Sequence, residues 1–481
     1  MHFLASHQKF VQSSLDELTQ HLNQNSDDVR KAIGSSIGSS DSAAIEKERV
    51  RLAAQFAQIH ATANNEPSHG DVAFVSRCDL VGLYQSALST VFSRVPSLQG
   101  YGNHNPIWVI TLIEEGTYRM GSFFKEVAED MHGKKEPILQ AVLTAWKDLK
   151  SERAPYPPGT PSVIALPPNA TIALLADWGG DNPAAKNIAQ VAKNQKPNIA
   201  IHLGDIYYGG VKSECESFLR LWPFQTTPQN PETGVAAKTS YALNGNHEMY
   251  SGGESFFNIV LKAFGQPQPF FCLENTYWRI IGLDTAYGGG RLKPMSADDP
   301  LTTQWNWLVG LLRNSGTKKN ILLTHHQPVS AHEAEFSDSE PLRQDYKDLL
   351  ASEGIASDAI FGWFFGHEHR CAIYRDSETP FNARLIGNGC IPHEVQREIQ
   401  ADRDCTPVDF VNHRQDQVSS GAAVSMFAVL TFSETSSQLL IQYLDEDSER
   451  WGAEVWDATK GRLGGEKFVE SDFDQKLIKT D

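Results

Sequence analysis

Five short blocks in this chain end in metal-ligating residue types. They are Asp177-Trp178-Gly179, Gly204-Asp205-Ile206-Tyr207-Tyr208, Gly245-Asn246-His247-Glu248, His325-His326-Gln327-Pro328 and Gly366-His367-Glu368-His369. Two carboxylates, an amide, a phenol and three or four imidazoles are enough donors for two cations. A pair of cations clamps the attacking and leaving oxygens of an in-line displacement, so the chemistry this set suits is phosphoester hydrolysis.

Such a site needs elements that bring the blocks together. Four blocks follow apolar, β-prone runs: Ile172 to Ala176, Ile199 to Leu203, Ile321 to Leu323 and Ala359 to Phe365. The third follows the shorter Tyr241-Ala242-Leu243. Each block therefore falls where a buried parallel strand ends. Open α/β sheets place ligands at the carboxyl ends of their strands, where these loops meet. Singly the signals differ in strength. Asp177 closing a strand, or Gly204-Asp205 at another, reads first as a turn or cap. Gly-Asn-His-Glu says more, because two polar side chains in a Gly-initiated turn seldom serve packing. In Gly366-His367-Glu368-His369, extended backbone puts both imidazoles on one side. The ordered spacing of 28, 41, 80 and 41 residues, taken at 177, 205, 246, 326 and 367, joins the five into one pattern.

Over roughly residues 170 to 445 that pattern resembles the calcineurin-like metallophosphoesterases. Within them it looks most like the purple acid phosphatases. Most of the superfamily opens with Asp-x-His. Here Gly179 takes the third position, and Gly-Asp-x-x-Tyr supplies Tyr208 instead. The resemblance implies a ferric-type site held by Asp177, Tyr208 and His369. It implies a divalent site, for Fe, Zn or Mn, held by Asn246, His326 and His367, with Asp205 bridging the two. Phenolate and carboxylates suit a hard trivalent ion, while imidazoles and an amide oxygen suit a divalent one. His-x-Pro selects His326, with His325 left open beside it; Tyr207 replaces Tyr208 only if the loop register slips. The implied reaction is attack by metal-activated hydroxide on a small phosphomonoester. A phosphodiesterase acting on nucleotides or other small diesters is the alternative, and a non-catalytic scaffold of the same fold is the second.

The leaving alkoxide needs a proton, and His247 is the leading candidate, with Glu248 beside it to orient the imidazole or raise its pKa. A structural role in fixing the loop is the competing reading. His332, in a loop six residues beyond His326, resembles the family's substrate-facing histidine region. Arg370 is read as a solvated side chain before a phosphate anchor, and His202 as a satisfied core residue. Gly288-Gly289-Gly290-Arg291 is read as a loop before a phosphate nest.

The chain has 481 residues, with 59 acidic against 42 basic side chains and a net charge of −17. That balance argues against a nucleic acid duplex, which binds clustered Lys and Arg. No run approaches the roughly 18 apolar residues of a membrane span. No basic region followed by an apolar core opens the chain, so a cytoplasmic location is expected. The six cysteines are scattered and expected to be free thiols.

Residues 1–150 read as an all-α domain, serving as a cap or for homo-oligomerisation. Helical stretches are expected around Leu15, from Ala43 to Ala61, from Ile107 to about Met131 and after Pro137. Gly102-Asn103-His104-Asn105 is read as a surface turn. Six prolines mark 151–168 as an extended linker. Residues 169–460 form the expected catalytic domain, and 461–481 a tail. The predicted fold is α/β: two packed mixed sheets flanked by helices, the four-layer metallophosphoesterase sandwich. Within it, Thr171 to Ala176, Pro183 to Asn194 and Asn198 to Leu203 read as a βαβ unit. Phe270 to Glu274 and Tyr277 to Asp284 read as a hairpin, Thr302 to Asn314 as a helix, and Met426 to Phe432 with Leu439 to Leu444 as a closing hairpin.

Overall fold

The structure, a computed structural model, describes residues 8–66, 75–76, 78–93, 146, 153–180, 182–224, 226, 240–330, 344–351, 355–356, 358–374, 379–391, 408–411 and 424–460. Two compact units divide between Glu152 and Arg153, with short later segments assigned to the first. No helix among the described residues is long and apolar enough to cross a membrane.

The first unit is helical: α1 (Gln8–Gln24), α2 (Asp27–Ile37), α3 (Ser42–Asn65) and α4 (Asp79–Ser93). Ser26 caps α2 through the N–H of Val29. Gly38, at φ 63°, ends it in the left-handed conformation that glycine tolerates best. Leu52, Phe56, Ile59 and Ala63 put one face of α3 into the core. There Phe56 meets the rings of Tyr84 and Trp146 at 5.8 and 5.2 Å. The expected helices after Pro106 and Pro137, apart from Trp146, lie outside the described residues, as do Gly102 to Asn105 and the tail.

The second unit runs β1 (Val163–Ala165), β2 (Thr171–Leu175), α5 (Pro183–Asn194), β3 (Ile199–His202), α6 (Lys212–Leu221), β4 (Ser240–Ala242), α7 (Asn246–Tyr250) and a π-helical turn at Phe256–Leu261. It continues with β5 (Phe271–Glu274), β6 (Trp278–Gly282), α8 (Thr302–Arg313), β7 (Lys319–Thr324), α9 (Gln344–Ala351) and β8 (Ile360–Phe365). Then come β9 (Cys371–Tyr374), β10 (Asn382–Ile386), β11 (Val408–Val411), β12 (Met426–Phe432), β13 (Gln438–Asp445) and β14 (Arg450–Asp457). The strands form two mixed sheets, ordered β1-β5-β6-β7-β8-β10-β9-β11 and β14-β13-β12-β2-β3-β4.

The βαβ unit, both hairpins and α8 lie where the sequence places them. Residues 153–168, read as a linker, are bound along the second unit. Arg153 stacks over the Tyr287 ring at 4.1 Å, the Tyr287 hydroxyl donates to Ala154 O, and β1 pairs with β5 in parallel.

Strand alternation sorts the side chains into layers. Ile172, Leu174, Ile199, Ile201, Ile321 and Leu323 point between the sheets, where Trp278, Tyr443 and Trp456 join them. Ile281, Leu322, Trp363 and Phe365 point to the opposite face of the eight-stranded sheet, against Trp305, Leu308 and Leu312 of α8 and Leu349 of α9.

One charged pair ties the sheets together. Arg384 of β10 donates from Nε and Nη2 to the two carboxylate oxygens of Glu454 on β14, at 2.8 and 2.6 Å. Tyr443 Oη and Trp456 Nε1 donate to the same carboxylate. Burial opposes ionisation of Glu454, but the guanidinium holds its pKa below the ordinary glutamate value. The stability this supplies is complete above that ordinary value and is lost as pH falls through the lower folded one. Glu454→Gln should cost about 3–5 kcal/mol, since it strands a buried guanidinium. Replacing Arg384 and Glu454 together by Met should cost clearly less. Urea denaturation of the three proteins checks this, and equal losses for the single and double variants would refute it.

Candidate metal centre

All five blocks lie just past the ends of parallel strands. β2, β3 and β4 are mutually parallel in one sheet, and β7 and β8 in the other. The turns are tight, and three ligand-type residues hold positive φ: Asp177 at 54°, Asp205 at 69° and His367 at 73°. Left-handed backbone is unfavourable for such residues and concentrates at functional sites.

Asp205 is the hub. Its Oδ1 lies 3.2 Å from His325 Nε2 and accepts the backbone N–H of His247. On one side Asn246 Oδ1 sits 2.9 Å from His325 Nε2 and 2.8 Å from His367 Nδ1, with the two imidazole nitrogens 3.3 Å apart. On the other side the Tyr207 hydroxyl donates to Asp177 Oδ1 at 3.0 Å and lies 3.0 Å from His369 Nε2. Asp205–His325–His367 and Asp177–Asp205–His369 are thus two donor groups sharing one carboxylate.

Two sequence-assigned ligands make other contacts, although the His326 ring lies 4.6 Å from that of His367. His326 turns to Thr285, whose hydroxyl lies 2.9 Å from its Nδ1 and accepts its backbone N–H. The reason is strand parity: His325 continues the row of Ile321 and Leu323, which faces between the sheets, whereas His326 continues that of Leu322. The His-x-Pro spacing had favoured His326. Likewise Tyr207, not Tyr208, brings its hydroxyl to Asp177 and His369; Tyr208 contributes its carbonyl, which accepts from His247 Nδ1 at 2.6 Å.

Other expected residues have definite places. Glu248 was read as orienting the His247 imidazole. Its carboxylate instead accepts the backbone N–H groups of Asp205, Ile206 and Gly245, bracing one block against another. His247 Nε2 lies 3.7 Å from Asp205 Oδ2. His332 lies outside the described residues. His202 accepts the Gly204 N–H at Nδ1 and bonds the Trp178 carbonyl through Nε2. Burial lowers its pKa to about 4, which keeps it neutral for that bracket. In the Gly288–Arg291 loop the N–H groups of Gly289 and Gly290 are used within the turn, and Arg291 pairs with Asp299.

Thr285, Asn244 and Asp284 support the site without having been singled out in the sequence. Asn244 Nδ2 donates to the Asp284 carboxylate, itself buried and pushed up to about 7 by burial. The signal was available: Leu283-Asp284-Thr285 ends an apolar strand as the five blocks do.

The donor set fits cations. Metal–ligand bonds of about 2.1 Å place neighbouring donors roughly 3–3.5 Å apart, and the donors of Asn246, His325 and His367 lie 2.8–3.3 Å from one another. The charges agree. Burial drives the Asp177 carboxyl well above its usual range; His325 opposes this and the charge of Asp205 adds to it. Burial also opposes ionisation of Asp205, but His325 and His247 hold it below the ordinary range. Burial works against protonation of His325, yet Asp205 brings its pKa up to about 9. Positive charge beside these carboxylates favours their ionised forms.

Residues 170–371 match the calcineurin-like phosphoesterase family. Human cyclic GMP-AMP phosphodiesterase SMPDL3A is 23% identical over 221 residues, which are 45% of this chain and 48% of the relative. The chain thus spans about half the length of that curated relative. Among solved structures, purple acid phosphatase PPD1 from yellow lupin (Lupinus luteus) seeds aligns with a TM-score of 0.38 and 15% identity, over 62% of this chain and 55% of that one. GAP50, the anchor in the inner membrane complex of Plasmodium, aligns with a TM-score of 0.38 and 15% identity, over 65% and 92%.

The shift at both paired positions is testable. His325→Ala should lower bound metal, whereas His326→Ala should retain the wild-type content after gel filtration. If iron fills the Asp177 group, Tyr207→Phe should remove its visible phenolate charge-transfer band and Tyr208→Phe should leave it. The opposite pattern at either pair would restore the assignment drawn from the motif.

Proposed function

We propose that the second unit is a dinuclear-metal hydrolase of small phosphate esters. The observation that carries this reading is the shared Asp205 carboxylate between two convergent donor groups, one containing Asp177, Tyr207 and His369 and the other Asn246, His325 and His367. We assign a ferric ion to the first group, where a phenolate and carboxylates supply hard donors, and Zn²⁺, Mn²⁺ or Fe²⁺ to the second. When bound, the two ions supply Lewis-acid charge and a nucleophile formed from water near neutral pH.

The chain's own residues do the rest. Asp205 fixes the separation of the two groups. Glu248 and His202 lock the backbone of the blocks that carry the ligands, so the donors are already in place before substrate arrives. His247 is held by the Tyr208 carbonyl at Nδ1, and we assign its Nε2 the transfer of a proton to the leaving alkoxide. The net charge of −17 favours a small substrate over a polyanion.

The leading substrate class is a phosphomonoester. The human relative, a cyclic GMP-AMP phosphodiesterase, supports diesters as the second reading. A chromogenic phosphomonoester and its bis-ester, assayed in parallel on the protein as purified and after addition of Mn²⁺, Zn²⁺ or Fe²⁺, separates them. Asn246→Ala should lower turnover at least a hundredfold, and the preferred ester decides the class. Equal turnover by wild type and Asn246→Ala, or none on either ester with two metals bound, would overturn the hydrolase reading.

A further inference from the structure

A sixth loop closes the site from behind. Gly387-Asn388-Gly389-Cys390 follows β10, which lies beside β8 and parallel to it. Gly387 N–H donates to the Arg370 carbonyl at 2.8 Å, and Gly389 N–H to the Ala176 carbonyl at 3.1 Å. Cys390 Sγ lies 3.3 Å from the Asp177 carbonyl, and Asn182 Nδ2 donates to the Cys390 carbonyl. Asn388 donates to the Val424 carbonyl and accepts at its own carbonyl from Met426 N–H. The loop is thereby stitched to the Asp177 block, to the His367–His369 block and to the start of β12.

The approach is too close for any side chain. A Cβ on Gly387 would stand 2.0 Å from the Glu368 carbonyl oxygen and 3.2 Å from Asp177 Oδ2. One on Gly389 would stand 2.3 Å from the Ala176 carbonyl oxygen. Both obstacles are backbone, which cannot swing aside as a long side chain does. Gly366 completes the wall, its Cβ position being 2.3 Å from Asp177 Oδ2. That oxygen accepts the His367 N–H at 2.9 Å, which leaves Oδ1 toward Tyr207 and His369.

We propose that the Gly387–Cys390 loop is the positioning element of the Asp177–Tyr207–His369 half of the centre, presenting one carboxylate oxygen to its cation and setting the affinity of that half. The proposal rests on the dinuclear reading above. Among the described residues, the loop's hydrogen bonds reach the Asp177 and His367–His369 blocks and the start of β12, not Asn246, His325 or Asp205.

Metal content and visible absorption of the purified full chain test this. Wild type should carry two metal equivalents; Gly387→Ala and Gly389→Ala should keep about one and bind the second 10–100-fold more weakly, the range for outer-shell partners. With iron present, the phenolate band should fall in step. Gly310→Ala, on α8 with open space around its Cβ position, should behave as wild type. Two tightly held equivalents and an unchanged band in both loop variants would overturn the proposal. A wild type that binds fewer than two would instead refute the dinuclear reading. Should the variants fail to fold, hydrogen exchange on the wild type decides. The Gly387 and Gly389 amides should exchange at least tenfold more slowly with metal than after chelation, and equal rates would overturn the proposal.

Discussion

The carboxylate of Asp205 is the constraint on which the centre depends. It is buried and shared by two groups of donors, each drawn from both sheets. Asp177 and Glu248 lie buried in the same pocket, and three acids this close cannot all be charged without cations among them. The fold supplies rigid backbone around that charge problem. His247 N–H, the Glu248 brace and the His202 bracket each fasten one strand-end loop to another through hydrogen bonds that need no metal. The positive φ at Asp177, Asp205 and His367 is backbone strain held in place by this framework.

Those loops meet because the two sheets share one packed interior. Ile172, Ile201, Ile321 and Leu323 fill it, and their strands point the same way into one edge. The Arg384–Glu454 pair crosses that interior, with Tyr443 and Trp456 completing its hydrogen bonds. Ion pairs of this kind add less stability than apolar packing would, but they penalise any misalignment of the sheets. Here the alignment serves the site, since β7 and β8 must bring His325 and His367 to Asn246 beside β4.

Much of this was legible in the sequence. Apolar runs ending in Asp, Asn-His or His-x-His marked β2, β3, β4, β7 and β8 and fixed which edge carries the chemistry. The paired residues were harder. Tyr207 and Tyr208 differ only in local backbone path, which no spacing reveals. For His325 and His326 the pleat of β7 did contain the answer: counting in twos from Ile321 arrives at His325, whereas the His-x-Pro motif selects its neighbour. The short strands β1, β9, β10 and β11 and the long β14 went unread. β14 holds Glu454 among apolar residues, a charge that only its partner on the other sheet explains. The Gly387–Cys390 loop carries the same strand-end signature as the five blocks but offers backbone where they offer ligands.

Anomalous diffraction from crystals of the full chain, recorded at the absorption edges of iron, zinc and manganese, locates and identifies the ions. Two peaks are expected on either side of the Asp205 carboxylate. One should be bonded to Asp177, Tyr207 and His369, and the other to Asn246, His325 and His367. A single peak, or peaks ligated by His326 and Tyr208 in place of His325 and Tyr207, would contradict it.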